Sequence, residues 1–324
     1  MDISVHHFKE YCLPSVQSYF RCIDMQARPA LLDSRILERQ TNGFDLSGDG
    51  ITFRYPKRET IPLAIPVDMS EDPQKPALDN LTFHFDAGKI HAIVGDNGSG
   101  KSTLVYLLSQ LYKDYTGIIK LNGHDIKEFN PDEIRSHVSI MFQEVAKLVN
   151  FSVRENIGIG EISILEEDSK SIDAIAAEFK VADFINLDVV IGNLEKQNKD
   201  PDEKWQNELS GGQWQKIALA RAFMRAKTAD LLIFDEPTSS LDIPSEMLFF
   251  QHLRESRKNK TTIFITHKYV TTPTADVIHF IQDGRIVERG SHSELMASQG
   301  EYARRYLAQT QGYLESKEGG GPTE

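Results

Sequence analysis

The feature that most constrains the fold of this chain is a glycine-rich segment that fits the phosphate-loop pattern G-x-x-x-x-G-K-[ST]. In sequence order the segment reads Gly95, Asp96, Asn97, Gly98, Ser99, Gly100, Lys101, Ser102 and Thr103. Apolar residues dominate positions 90–94 before it, and a helix-like stretch occupies 104–108 after it. The surroundings therefore predict a strand, a loop and a helix, which is the context that this pattern requires.

The residue types of this segment suit the binding of a triphosphate. Its glycines let successive backbone N–H groups point inward, and the helix that opens near Lys101 adds the positive end of its dipole to the same anion site. We expect Lys101 between the β- and γ-phosphates, the Ser102 hydroxyl on Mg²⁺, and Thr103 beside the α-phosphate. A chance glycine-rich turn is the alternative, and the flanking strand and helix argue against it.

The composition limits the class of protein. The chain has 324 residues, enough for one large domain or two ordinary ones. Its 36 basic and 48 acidic residues give a net charge of −12, which argues against nucleic acid or an anionic lipid surface as a broad partner. No run approaches the ~18 consecutive apolar residues of a membrane span, and no signal peptide is visible at the start, so we expect a soluble, cytosolic chain. Cys12 and Cys22 are expected to be reduced thiols.

Residues 1–48 differ from the rest of the chain. Apolar residues recur there at helical spacing and predict an amphipathic helix from Pro14 to about Met25. The apolar stripe consists of Leu13, Val16, Phe20 and Ile23. The helix either packs on its own domain or leans on, or continues from, a segment outside this chain.

Strand and helix signals alternate through the rest of the chain. Strands are predicted around 50–55, 81–85, 90–94, 117–121, 138–142, 231–234, 261–266 and 277–281. Helices are predicted from 104, from 131, and over 245–256, 293–298 and 301–314. Mostly helical signals from about 152 to 226, with breaks around 198–202, predict a helical insertion between two strands of a core sheet. A proline-rich tract, 57–76, is predicted to be a surface loop.

Two acidic residues follow the apolar run at 231–234. A buried strand that ends in an acid places a carboxylate at the edge of the sheet, so Asp235 is expected on the metal side. Glu236 faces the other way and would orient and deprotonate an attacking water. The alternative is a pair of solvated acids in a turn.

A second anion site is predicted at Leu209, Ser210, Gly211, Gly212 and Gln213. Ser210 can cap the helix that follows, the glycines allow close backbone approach, and the positive end of the helix points at the same place. Because Ser210 belongs to the helical insertion, away from the phosphate loop of its own chain, we expect a second chain to complete each nucleotide site.

Together these segments resemble the nucleotide-binding domain of ATP-binding cassette (ABC) transporters, over about residues 50–312. In that family residues 209–213 are the signature motif. The resemblance implies that Gln143 contacts Mg²⁺ and the attacking water, that His267 is the switch histidine, and that Tyr55 stacks on adenine. Ser239, Ser240, Leu241 and Asp242 resemble the family's D-loop.

The resemblance also predicts how the chain is organised. The fold is expected to be α/β: a P-loop NTPase core with a mostly parallel sheet, an antiparallel β subdomain and an inserted all-helical subdomain. Residues 1–48 would be a helix and linker, 49–315 the ATPase domain with its helical subdomain at about 152–226, and 316–324 a disordered tail.

The segments 210–222 and 283–292 are similar to the exporter branch, especially bacterial half-transporters. In that branch six membrane helices precede the cassette, so the resemblance implies a cassette separate from its transmembrane partner, held by it at the inner face of the cell membrane. Two segments depart from the family pattern: 57–75 is longer than the usual link, and 202–208 lacks a glycine. Both would lie near the coupling to a membrane domain.

The expected function is Mg²⁺-dependent ATP hydrolysis by a head-to-tail dimer of this chain, or of this chain with a homologous cassette, that drives export through the transmembrane partner. Lys101, Gln143, Glu236 and His267 would be catalytic, and Ser102, Gln143 and, through water, Asp235 would hold the metal. One alternative is a soluble ABC ATPase that acts in assembly or nucleic-acid processing. Another is an ATP sensor without hydrolysis, which the presence of these residues disfavours.

Overall fold

The computed structural model describes residues 35–38, 41–56, 75–162, 169–192, 209–257 and 259–318. Several predictions fall outside these residues. They are the amphipathic helix from Pro14 to about Met25, the reduced state of both cysteines, the proline-rich tract up to 74, the breaks around 198–202, the segment 202–208 and the tail beyond 318.

Strands and helices alternate in the described chain. The strands are β1 (Leu46–Phe53), β2 (Leu78–Phe85), β3 (Ile90–Val94), β4 (Thr116–Leu121), β5 (His124–Asp125), β6 (Val138–Met141), β7 (Leu231–Asp235), β8 (Thr261–Ile265), β9 (Val277–Gln282) and β10 (Arg285–Gly290). The helices are α1 (Lys101–Leu108), α2 (Pro131–Ser136), α3 (Val153–Gly158), α4 (Ser169–Glu178), α5 (Gly211–Ala226), α6 (Ile243–Ser256), α7 (His292–Ser298) and α8 (Glu301–Glu318).

A six-stranded sheet in the order β10-β9-β3-β8-β7-β6 forms the centre of the fold. Strands β9, β3, β8, β7 and β6 pair in parallel, and only β10 is antiparallel to its neighbour. Every residue of β3, β7 and β8 is buried, as the nearly continuous apolar runs in these segments predict for strands covered on both faces. The segments that leave β3, β6, β7 and β8 therefore emerge at one edge, called here the carboxyl edge.

A second sheet, in the order β2-β1-β4-β5, is antiparallel. Strand β1 begins at Leu46, earlier than the predicted 50, and it contains register shifts opposite both of its neighbours. Gly48, Asp49 and Gly50 lie in this part and have low strand propensity. Gly48 is required because a Cβ at this position would overlap the ring of Phe83. Packing against β2 thus overrides the local preference.

Helices α3, α4 and α5 lie between β6 and β7 in the chain, where the helical insertion was predicted. Helix α5 contacts α3, α4 and β6. The buried Ser139 hydroxyl of β6 donates to the Ala222 carbonyl of α5 at 2.7 Å. Arg221 of α5 donates to the Asn156 carbonyl at 2.7 Å and to its side-chain oxygen at 3.0 Å. Helix α5 is therefore fixed both to the sheet and to α3.

Two histidines are buried in the central sheet. His91 of β3 and His279 of β9 have no exposed surface, and His91 Nδ1 lies 3.2 Å from His279 Nε2. His91 Nε2 donates to the Asp86 carbonyl at 3.1 Å, so its Nδ1 must accept and His279 Nε2 must donate. Burial lowers the pKa of His91 to about 4 and holds that of His279 well below its usual range. The folded chain therefore keeps both rings neutral.

Stability should consequently fall as the pH falls. In the unfolded chain both rings take up protons below a pKa of about 6.5, whereas the fold resists protonation. Each ring therefore lowers the free energy of unfolding by up to about 1.4 kcal/mol for each pH unit below that value. Replacing one ring, in His279→Met, should make the decline in unfolding free energy between pH 6 and pH 5 shallower by about one proton equivalent in denaturant titrations. His124→Gln, which alters an exposed histidine outside the central sheet, is the matched control. Equal slopes in all three proteins would contradict the prediction.

Candidate functional site

The phosphate loop joins β3 to α1 at the carboxyl edge. Gly100, the residue before α1, has a φ of 99°, and a Cβ there would lie 2.5 Å from the Ala77 carbonyl oxygen. Only glycine fits both restraints. Gly100 is the N-cap residue of α1 and has no side chain that could cap the first turn. The loop thus presents the backbone N–H groups of a helix start, which is the arrangement that binds phosphate.

Lys101 is buried and bound to its own loop. Its ammonium donates to the carbonyl oxygens of Gly95 at 2.9 Å and Asp96 at 2.7 Å. Burial lowers the pKa of Lys101, and the carboxylates of Glu236, Asp235 and Asp96 oppose that shift. An ammonium has three donors, so one remains for an anion.

Asp235 ends β7 beside this lysine and is 1% exposed. Among the described residues, neither of its carboxylate oxygens has a hydrogen bond of ordinary geometry. Burial raises the pKa of Asp235 to about 6 and the charge of Glu236 adds to the shift, while the nearby Ser102 hydroxyl and Lys101 oppose it. A buried carboxylate that is this poorly satisfied is costly, and a cation relieves that cost.

Glu236 follows Asp235, and the backbone turns at this residue. Its φ is 51°, an uncommon conformation for a residue with a side chain, and its N–H donates to the Ile265 carbonyl at 3.1 Å. Its carboxylate lies 2.8 Å from His267 Nδ1. The Glu236 side chain is 9% exposed and that of His267 is 52% exposed, so the pair reaches from the core to solvent.

Helix α5 begins with the predicted second anion site. The Ser210 hydroxyl accepts from the Gln213 N–H at 3.2 Å, and the Gln213 side chain accepts from the Ser210 N–H at 2.9 Å. This reciprocal capping leaves Ser210 and Gly211 exposed. A Cβ on Gly212 would lie 2.7 Å from the Ser240 carbonyl oxygen, so the helix start is packed against the predicted D-loop.

Gln215 is a residue whose role the sequence did not indicate. It is 3% exposed, and its amide nitrogen donates to the Glu236 carbonyl at 3.0 Å and to the Ser239 hydroxyl at 3.1 Å. Its amide oxygen accepts from the Ser240 N–H at 2.7 Å. One buried side chain therefore connects α5, the Glu236 turn and the segment before α6. The sequence places Gln215 five residues after Ser210 but gives no sign of these contacts.

The remaining predicted residues lie around this cluster. The Tyr55 hydroxyl is 2.8 Å from the Thr103 hydroxyl, and its ring packs edge-on against Phe53 and Tyr112. Gln143 is exposed just past β6. Asp242 caps α6 by accepting from the Ser245 N–H at 2.8 Å. Tyr55 thus touches the residue predicted beside the α-phosphate, while Gln143 lies at the same carboxyl edge.

Comparison with known proteins places this chain in a family. A family model described as "ABC transporter" matches residues 78–239. This chain belongs to the ABC transporter family. The predicted resemblance and the α/β fold class are confirmed, and membership implies an ATPase.

Similar proteins lie in the exporter branch of the ABC transporters. An ATP-dependent lipid A-core flippase of Yersinia pestis bv. Antiqua (strain Antiqua) is 37% identical over 298 residues, which are 90% of this chain and 45% of the flippase. The ATP-dependent lipid A-core flippase of Salmonella typhimurium (strain LT2) is 37% identical over 293 residues, which are 86% of this chain and 45% of the flippase. A solved bacterial Atm1-family ABC exporter with ATP bound superimposes with a TM-score of 0.71 at 28% identity, over 92% of this chain and 47% of that one.

The chain spans about half the length of the curated relatives that it matches. Within the residues that the structure describes, helices with the length and apolar character needed to cross a membrane are absent.

The contacts of Gln215 predict a positioning role in ATP turnover. In Gln215→Met the Glu236 carbonyl and the Ser240 N–H lose a buried partner, and the Glu236 turn is free to shift. Turnover should fall about tenfold, because small displacements of a reacting group have effects of that order, while the dissociation constant for MgATP should change less than about twofold. Gln251→Met, on the exposed side of α6, is the matched control and should keep the wild-type rate. Unchanged turnover in Gln215→Met, or an equal loss of nucleotide affinity, would contradict this role.

Proposed function

We propose that this chain is the Mg²⁺-dependent ATP-hydrolysing cassette of an export-type ABC transporter and that it works as a head-to-tail dimer. The observation that carries the proposal is the cluster at the carboxyl edge: a buried lysine on a phosphate loop, a buried carboxylate that has no hydrogen bond of ordinary geometry to the described residues, and a glutamate paired with a histidine. Together these groups form the parts that phosphoryl transfer to water requires.

The residues around Asp235 fit Mg²⁺. Ser102, Gln143 and Asp235 would supply hydroxyl, amide and carboxylate oxygens, Asp235 through water, and oxygen is the ligand that Mg²⁺ prefers. The described residues contain no group of three or more histidine, cysteine, aspartate or glutamate side chains that could hold a metal. Phosphate oxygens and water would therefore complete the coordination, and the ion would neutralise charge that develops on the phosphates.

The other residues of the site have separate tasks. Backbone N–H groups of residues 95–103 and the Lys101 ammonium would hold the phosphates, and Tyr55 would stack on adenine. Glu236 would orient the attacking water and accept its proton. His267, bonded to Glu236, would hold that carboxylate in place, and Gln143 would position the water from the opposite side.

The position of Ser210 supports a dimer. Helix α5 contacts α3, α4 and β6, whereas α1 contacts β7. The exposed start of α5 offers backbone N–H groups to an anion, and the contacts of this helix are with α3, α4 and β6 rather than with α1. A second copy, or a homologous cassette, placed head to tail would bring this start, Ser210 to Gln213, against the phosphates of the first. Ser240 and Asp242 would then lie near the shared interface.

Transport is the part of the proposal that depends on relatives. The similarity to export-type proteins over about nine-tenths of the chain favours it over assembly or nucleic-acid work, and the net charge of −12 also argues against nucleic acid. A transmembrane subunit or domain would hold the cassette at the inner face of the cell membrane and would contain the contacts to the exported substrate.

The general-base role of Glu236 can be tested by Glu236→Gln. The amide keeps the shape but cannot accept a proton, so ATP turnover should fall by about two to four orders of magnitude while MgATP still binds. Phosphate release measures the rate and equilibrium dialysis measures binding. Glu255→Gln makes the same change on an exposed residue of α6 and should hydrolyse ATP at the wild-type rate. A wild-type rate in Glu236→Gln would remove Glu236 from this role.

The same variant also reports on the dimer. Because it binds ATP without consuming it, Glu236→Gln should sediment as a dimer with MgATP and as a monomer without nucleotide. A strictly monomeric species at high concentration with saturating MgATP would count against the head-to-tail arrangement.

A further inference from the structure

The last helix of the described chain reaches back to the phosphate loop. Arg305 of α8 forms two parallel hydrogen bonds to the carboxylate of Asp96, each 2.8 Å long, across 209 residues of sequence. Asp96 is the second residue of the phosphate loop. A planar guanidinium and a carboxylate joined in this way hold each other in one orientation.

The charge of Asp96 acts on the loop that would bind phosphate. The Asp96 carbonyl accepts from the Lys101 ammonium at 2.7 Å, and the Asp96 carboxylate is among the charges that oppose the lowering of the Lys101 pKa. A carboxylate in this position repels the oxygens of a polyphosphate. The loop therefore contains a charge that disfavours its own ligand.

Arg305 balances that charge. Glu301 accepts from Arg305 Nε at 2.8 Å, and its second oxygen lies 2.7 Å from Arg304 Nη2. Arg304 thus pairs with Glu301, whereas Arg305 pairs with Asp96 as well as with Glu301. Loss of Arg305 would leave a net negative group beside the phosphate loop and would also free Asp96 to move.

Helix α8 also contacts the segment that bears His267. Gln309 donates from its amide nitrogen to the His267 carbonyl at 3.1 Å and accepts from the Val270 N–H at 3.3 Å. One helix thus connects the phosphate loop with the segment that bears His267.

We propose that Arg305 is a positioning residue of the nucleotide site: it neutralises and orients Asp96, so that the phosphate loop accepts the triphosphate, and it makes α8 part of the ATP-binding machinery. The inference rests on the proposed function in one respect, namely that the ligand is MgATP. The competing explanation is that the ion pair only attaches α8 to the domain.

The test is a set of dissociation constants, measured by equilibrium dialysis for MgATP and MgADP. Arg305→Met should weaken MgATP binding about threefold to tenfold, as expected for one uncompensated charge near the phosphates, and should weaken MgADP binding less. The loss should shrink at high salt, because the side chains of Arg305 and Asp96 are 40% and 55% exposed and their charges are screened. Arg304→Met removes the neighbouring charge, at a side chain that is 72% exposed, and should change binding less than about twofold.

The decisive measurement repeats the Arg305→Met substitution in a chain that also carries Asp96→Asn. If Arg305 acts by neutralising Asp96, Arg305→Met should have little effect once Asp96 carries no charge. An equal loss of affinity in both backgrounds, or a loss that salt does not reduce, would mean that the ion pair is only an attachment and would overturn the inference. Unchanged affinity in Arg305→Met would overturn it as well. Failure of the wild-type chain to bind MgATP at all would instead overturn the proposed function on which it rests.

Discussion

The burial of the Asp235 carboxylate is the constraint on which the rest of the site depends. Strand β7 is covered on both faces, so it delivers this carboxylate at the carboxyl edge with almost no access to water. The positive charge of Lys101 acts on this carboxylate, but two of the three donors of its ammonium are bound to carbonyls of its own loop. The phosphate loop and the end of β7 therefore form a charged pair that is only partly satisfied. Such an arrangement costs stability and is typical of a site prepared for a ligand.

The neighbouring contacts fix the geometry around this carboxylate. The turn at Glu236 points its side chain towards His267, and Gln215 holds the same turn from the side of α5. Helix α8 connects the loop at Asp96 with the segment after His267. Rigid elements thus reach the cluster from several directions, which is how a fold limits the movement of reacting groups. The connection between α5 and the Glu236 turn also offers a direct route by which the start of α5 could affect the proposed general base.

Much of the fold could be predicted because the local signals agree with the tertiary structure. Strand β3 has the predicted bounds, since an apolar run lies between turn-forming glycines, and β7 and β8 were predicted to within one residue because each is an apolar run bounded by polar residues. Strands β1 and β2 begin earlier than predicted because Gly48, Asp79 and Asn80 are poor strand formers that pairing between the two strands overrides.

The residues of the candidate site likewise fall into two groups, those that the sequence predicts and those that only the structure reveals. Motif spacing indicated the phosphate loop, the two acids after β7 and the start of α5. It could not reveal Gln215 or Arg305, because a glutamine inside a helix and an arginine near the end of the chain have no local signal that separates them from ordinary surface residues. Their roles come from contacts with segments distant in sequence, and only the folded structure shows these.

The most direct test of the central claim is the stability of Asp235→Asn at pH 7, measured by denaturant titration with and without MgATP. If the buried carboxylate is kept for a cation, removing its charge should make the nucleotide-free variant more stable than wild type by about 1–2 kcal/mol, and MgATP should stabilise it much less than wild type. A nucleotide-free variant that is less stable than wild type, yet gains as much from MgATP, would contradict the account.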